Sequence, residues 1–122
     1  GDFILGPDWR SPKNDNLWQG LNGTNNPCPN GYRLPTDTEL EAERLSWISQ
    51  GSAGAFASPL KLPAAGSRSP SNGLIAALGA GGYYRSSTVS GTSSGHLSFN
   101  SSGSLVYSNN RSTGFSVRCI KD

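Results

Sequence analysis

From residue 83 to the end, apolar and polar positions alternate with a period of two, the pattern of half-buried strands. In His96-Leu97-Ser98-Phe99-Asn100, Leu97 and Phe99 point one way while His96, Ser98 and Asn100 point the other. Ser101-Ser102-Gly103 reads as a turn, and Ser104-Leu105-Val106-Tyr107-Ser108 as the next strand. With Val106 inward, Leu105 and Tyr107 stand outward, an odd place for them unless something binds there. A last strand is expected over 114–120, with Phe115, Val117 and Cys119 sharing the inner face.

The period changes earlier in the chain. Thr36 followed by Glu39 is a capping-box arrangement, and Asp37 adds an acid at the positive helix end. A helix over 37–49 then places Leu40, Arg44, Trp47 and Ile48 on one stripe, and Gln50-Gly51 ends it. Glu39, Glu41 and Glu43 read as a solvated face, not as catalytic carboxylates. Residues 1–33 are turn formers such as Asn22-Gly23 and Pro29-Asn30-Gly31, with Phe3, Ile4, Leu5, Trp9, Leu17, Trp18 and Leu21 as apolar anchors. Residues 58–63 suggest a short strand between prolines. The run Leu74-Ile75-Ala76-Ala77-Leu78 is either a helical turn or a loop.

At 122 residues with 34% hydrophobic content, the chain fits one domain, 1–122, with a modest core. It holds no run of about 18 apolar residues, so no membrane insertion is expected. Gly1-Asp2-Phe3 lacks the basic then apolar opening of a secretory signal. The absence of an initiator Met suggests a processed chain, or the C-terminal piece of a longer protein. Net charge is +2, with acids gathered before residue 44 and bases after it. The bases are scattered singly, with no cluster to follow a phosphate backbone, so nucleic acid is not an expected partner.

Cys28 and Cys119 are the only cysteines and His96 the only histidine, too few for a structural zinc site. The cysteines are either a disulfide joining the early loop to the last strand or two buried thiols. The disulfide is the favoured reading, and with it an exported setting.

Cys28-Pro-Asn-Gly-Tyr-Arg-Leu-Pro-Thr-Asp-Thr-Glu-Leu resembles the opening signature of bacterial domains related to the formylglycine-generating-enzyme branch of C-type-lectin-like folds. Tyr84-Arg85-Ser86-Ser87-Thr88 and residues 114–122 resemble the two later signatures, found also in Fibrobacter-type paralogous surface domains. The resemblance spans about 15–122. It implies an α+β, C-type-lectin-like fold with twisted antiparallel strands, one clear helix, long loops and close termini, which would bring Cys28 and Cys119 within reach. The stretch from Tyr83 onward is most similar to the variable proteins of diversity-generating retroelements, a group that includes phage tropism determinants. There, randomised Asn-type codons ending in C cannot yield Trp, Met, Gln, Lys or Glu, and residues 62–120 contain none of these. Ser/Gly-rich strands have few of them in any case, and the absence of Asp is not explained this way. One position departs from the pattern. Relatives carry Trp before Ser-Ser-Thr where this chain has Arg85, which either alters packing at that corner or joins the ligand surface.

The expected function is non-catalytic: a ligand- or receptor-binding module presenting a diversified surface on a fixed scaffold. Its partner would be a protein or glycan receptor, and its place extracellular, on a cell surface or a virion. Tyr, Ser, Gly and Asn suit such a surface, tyrosine giving contact area at low entropy cost while the small polar residues adapt. The expected ligand-binding residues are Tyr83, Tyr84, Arg85, Ser93, His96, Ser98, Leu105, Tyr107, Asn109 and Asn110, with Phe115 assigned to the core. No enzyme is expected, since formylglycine chemistry uses a cysteine pair and only Cys119 lies in the C-terminal region. No metal or cofactor is expected, because residues 44–121 carry no acidic side chain. The alternatives are a structural surface or virion protein without diversified recognition, and a metal-independent glycan-binding adhesin domain.

Overall fold

A computed structural model describes residues 6–122. Phe3, Ile4 and Leu5, expected as core anchors, lie outside the described residues. The architecture is α+β, with two short helices and mostly antiparallel strands. In chain order the elements are β1 (Tyr32–Arg33), α1 (Asp37–Leu45), α2 (Ser52–Ala57), β2 (Ser67–Arg68), β3 (Ile75–Ala76), β4 (Gly81–Ser90), β5 (Ser93–Asn100), β6 (Ser104–Asn110) and β7 (Ile120–Lys121).

The central sheet is the meander β4-β5-β6, antiparallel throughout. Its register sets opposite each other Tyr84, Leu97 and Val106 on one face, and Arg85, His96 and Tyr107 on the other. The first face is the core. Tyr84, Leu97 and Phe99 are buried there against Leu40, Trp47, Ala55 and Leu62, with Val106 packed at the margin. Phe99 stacks on Tyr84 and meets Trp47 edge-on, with ring centroids 6.0 Å and 5.8 Å apart. Gly82 lies under the Phe99 ring so closely that a Cβ there would come within 2.1 Å of it.

α1 is shorter than the hydrophobic stripe predicts, ending at Leu45 instead of residue 49. Two of its last carbonyls find side-chain donors: Ser46 Oγ bonds Glu43 O, and the Gln50 amide bonds Arg44 O and, just beyond the helix, Trp47 O. With those groups satisfied the backbone can leave the helix, so Trp47 turns into the core while Ile48 is fully exposed. At the other end Thr36 Oγ1 accepts from Glu39 N as the sequence predicts. Glu39 does not reach back to complete the box; its carboxylate takes the Arg33 guanidinium at 2.9 Å on both oxygens. Glu41 pairs with Arg44 and Glu43 accepts from the Trp47 indole, so each helix acid is pinned locally.

α2 and the β2-β3 hairpin were not foreseen. α2 forms over Ser-Ala-Gly-Ala-Phe-Ala without a side-chain cap, held by burial of Gly54 and Ala55. The 74–78 run contributes β3, which pairs with β2 in a small hairpin, and Leu74, Ile75 and Leu78 are exposed. Residues 58–63 form no strand, although Leu62 is buried.

The two ends of the motif region meet. β1 pairs with β7, and Cys28 is disulfide-bonded to Cys119, their Cα atoms 5.8 Å apart. The last expected strand is assigned only over β7. Before it, Ser116 lies parallel to β4 and bonds Arg85 N and Tyr83 O. In that register Ser116 shares the side of Tyr84, which puts Phe115 and Val117 on the opposite face. The expected inward direction of both is therefore corrected, and Val117 is 38% exposed. No helix among the described residues is long and apolar enough to cross a membrane.

Candidate functional site

The sheet face turned away from the core gathers most of the expected ligand-binding residues, because strand alternation sends every second side chain there. β4 contributes Tyr83 and Arg85, β5 His96 and Ser98, and β6 Leu105, Tyr107 and Asn109. Leu105 is 57% exposed and Tyr107 41%, and both stand on the outermost strand. Tyr84 does not belong to this face. Its ring is buried in the core and its hydroxyl donates to Pro63 O at 2.7 Å, a structural role that removes it from the surface expected for it. Ser93 and Asn110 pair at the far end of the sheet, where alternation turns them away from Tyr107 and His96.

Phe115 organises the centre. Its ring stacks on Tyr83 (5.5 Å, 11° between planes) and packs on His96 at 4.3 Å, while Tyr107 closes on the other side of His96 at 4.2 Å. The Arg85 guanidinium sits 4.5 Å above the Phe115 ring, a cation–π arrangement. Sequence reasoning placed Phe115 in the core and so missed its position here. Ser94 and Thr113 were also missed: Arg85 donates to Ser94 Oγ at 2.6 Å and to the Thr113 carbonyl. No signal in the sequence pairs these groups, since they meet only once the strands are in register.

Arg85 and His96 lie on this face yet are buried beneath Phe115, with exposures of 4% and 0%. Arg85 therefore supports the surface from below instead of standing on it. Burial lowers its pKa to about 10, so it stays charged at neutral pH. No carboxylate among the described residues forms an ion pair with it. His96 has neither ring nitrogen hydrogen-bonded among the described residues. Burial, and secondarily the Arg85 charge, push its pKa down to about 4.

That depression ties stability to pH. The folded value lies below the ordinary 6.5, so between the two the unfolded chain binds more protons. Stability is complete above about pH 6.5 and falls as pH drops toward 4, by up to about 3 kcal/mol. Urea midpoints measured across this window should decline with acidification. The decline should be much smaller in His96→Phe, and an equal slope in both proteins would remove His96 as its source.

β4 and β5 lose register between Arg85 and Val89. There β4 turns its hydrogen bonds to the start of α1: Ser87 N bonds Pro35 O, Asp37 N bonds Thr88 Oγ1, and Ser86 Oγ bonds Asp37. The Ser-Ser-Thr stretch thus fastens the outer face to the helix beneath it. Among the described residues no three potential metal ligands cluster. Compared with protein-family models, curated proteins and solved structures, the chain has no match.

Proposed function

We propose that this chain is a non-catalytic binding module of the C-type-lectin-like class, which recognises a protein or glycan receptor through the outer face of its central sheet. The observation that carries the reading is the contrast between the two faces of one sheet. Tyr84, Leu97 and Phe99 are buried on one side, while Leu105, Tyr107 and Val117 are exposed on the other around an aromatic centre. Exposed apolar and aromatic side chains gathered on one sheet face are costly in a free domain and typical of recognition sites. The paired ends, the disulfide and the mixed α+β architecture agree with the proposed fold. The disulfide is also compatible with an extracellular, cell-surface or virion location.

The same division suits a diversified protein. Ser98, Leu105, Tyr107 and Asn109 can change without touching Leu97 or Phe99, so a retroelement could alter specificity without altering the core. A near-copy of the coding region for residues 81–118, differing mainly at adenines and lying beside a reverse transcriptase gene, would support this part of the proposal. A homogeneous gene neighbourhood without such a copy would count against it.

The binding reading is tested by screening the chain against glycan arrays and displayed cell-surface proteins. For any captured partner, Tyr107→Ala should weaken binding by about tenfold or more, as expected for a central aromatic anchor. Phe56→Ser, on the exposed side of α2, should leave it unchanged. Loss with Phe56→Ser and none with Tyr107→Ala would move the site off this face.

A further inference from the structure

A second recess lies where the N-terminal segment crosses the end of the sheet. Residues 8–19 are held there by Lys13 Nζ donating to Gly91 O at 3.2 Å, Gln19 Nε2 donating to Ser87 O at 2.6 Å, and Arg111 pairing with Asp8 and Asp15. Between this segment and the strands is a cleft of about 60 Å³, lined by Arg85, Ser86 and Ser94 from the sheet and by Trp9, Trp18 and Asn14 from the segment.

The cleft has an excess of positive charge. Three arginines, Arg10, Arg85 and Arg111, face two aspartates, and both aspartates are engaged by Arg111. The Arg85 and Arg111 side chains are both buried, and of the two Arg85 is the one without a carboxylate among the described residues, held by a serine hydroxyl and a backbone carbonyl, both neutral. A desolvated guanidinium gains most from a carboxylate, whose planar oxygens match its donors. One charge in excess suits a monoanion. The volume suits a head group with a water or two, since roughly 10–15 Å³ holds one water, and a whole sugar ring must lie outside it. At the mouth Trp9, 39% exposed, and half-buried Trp18 supply flat apolar surface beside polar amides, the mixture that orients a small ligand with both kinds of face.

We propose that this cleft binds the carboxylate of an acidic sugar, with Arg85 as its anchor and the Trp9 and Trp18 indoles against the ring. The site opens away from the exposed rim at Leu105 and Tyr107 but shares Arg85 with the outer face, which that residue supports from below, so the two readings are told apart by which signals a ligand shifts.

The test is calorimetric titration of the whole chain with glucuronate, glucose, acetate and a short peptide ending in a free carboxylate. It is joined to NMR of the ¹⁵N-labelled protein, following the Arg85 Nε–H and the Ser86 and Ser94 amides. Glucuronate should bind saturably and shift those signals. Glucose should bind at least about tenfold more weakly, the loss expected when a charged hydrogen-bond contact is missing. Acetate and the peptide should also be weaker, lacking the ring. Trp9→Ala should reduce glucuronate affinity by about three- to tenfold with the unfolding midpoint retained. Arg85→Gln should abolish binding; if it does not fold, the NMR titration of the unaltered protein decides. The proposal is overturned if glucuronate does not saturate or shifts only signals around Tyr107. It is likewise overturned if acetate binds equally well, a bare-anion site only, or if the peptide binds more tightly than the sugar.

Discussion

Replacing both cysteines, Cys28→Ser with Cys119→Ser, is expected to destabilise the fold by about 4–5 kcal/mol, the value the chain-entropy model gives for a closed loop of this length. The bond joins residues 91 apart in sequence and encloses both helices and the whole central sheet. Cutting it lets the unfolded chain explore conformations that the bridge forbids. The native contacts beside it are slight: β1 and β7 are two residues each. A domain of this size is stable by about 5–15 kcal/mol in total, so the double variant should have little margin left. Urea unfolding of the two oxidation states, with and without reductant, gives the same comparison in the unaltered chain. A midpoint indifferent to reductant would show that the paired ends hold without the bond.

Phe99→Ala is expected to cost about 3–5 kcal/mol. The ring touches both sides of the core, stacked on Tyr84 from the sheet and edge-on to Trp47 beyond α1. Its loss removes apolar burial and two aromatic pairs, each worth about 0.5–1.5 kcal/mol beyond area. The cavity cannot collapse easily, because the nearest backbone is Gly82, which has no side chain to move into the space. Phe99→Leu, which fills most of the volume, should recover a large part of the loss. If the alanine and leucine variants unfold at one denaturant concentration, the ring is not the keystone of this packing.

The strands of the meander were legible because their alternation is regular: Leu97 and Phe99 inward, Ser98 outward, and Val106 inward between Leu105 and Tyr107. The disulfide was legible from having two cysteines and a resemblance that brings the ends together. Three features were not. Of the neighbours Tyr83 and Tyr84, one must face the core, and alternation alone does not choose which; the pairing with Leu97 decides for Tyr84. For Phe115 and Val117 the period was right and the phase wrong, because the phase depends on how Ser116 meets the free edge of β4. His96 alternates outward as a polar residue should, yet Phe115 and Tyr107 fold over it, a tertiary event that a period-two reading cannot contain. The helix stripe misled for a similar reason. Trp47 is apolar and buried, but beyond α1 its N–H makes a tightened turn to Arg44 O and its carbonyl is taken by the Gln50 amide, so the backbone there no longer follows the helix.

The division between a fixed and a variable face is tested most directly by saturation mutagenesis of residues 81–118, with folding read from protease resistance on displayed chains. Ser98, Leu105, Tyr107, Asn109 and Val117 should accept most substitutions, including charged ones. Tyr84, Leu97 and Phe99 should accept almost none that are polar or small, and Val106 few. Equal sensitivity on the two faces would contradict the account, since a surface that cannot vary without unfolding the domain cannot serve as its changeable recognition site.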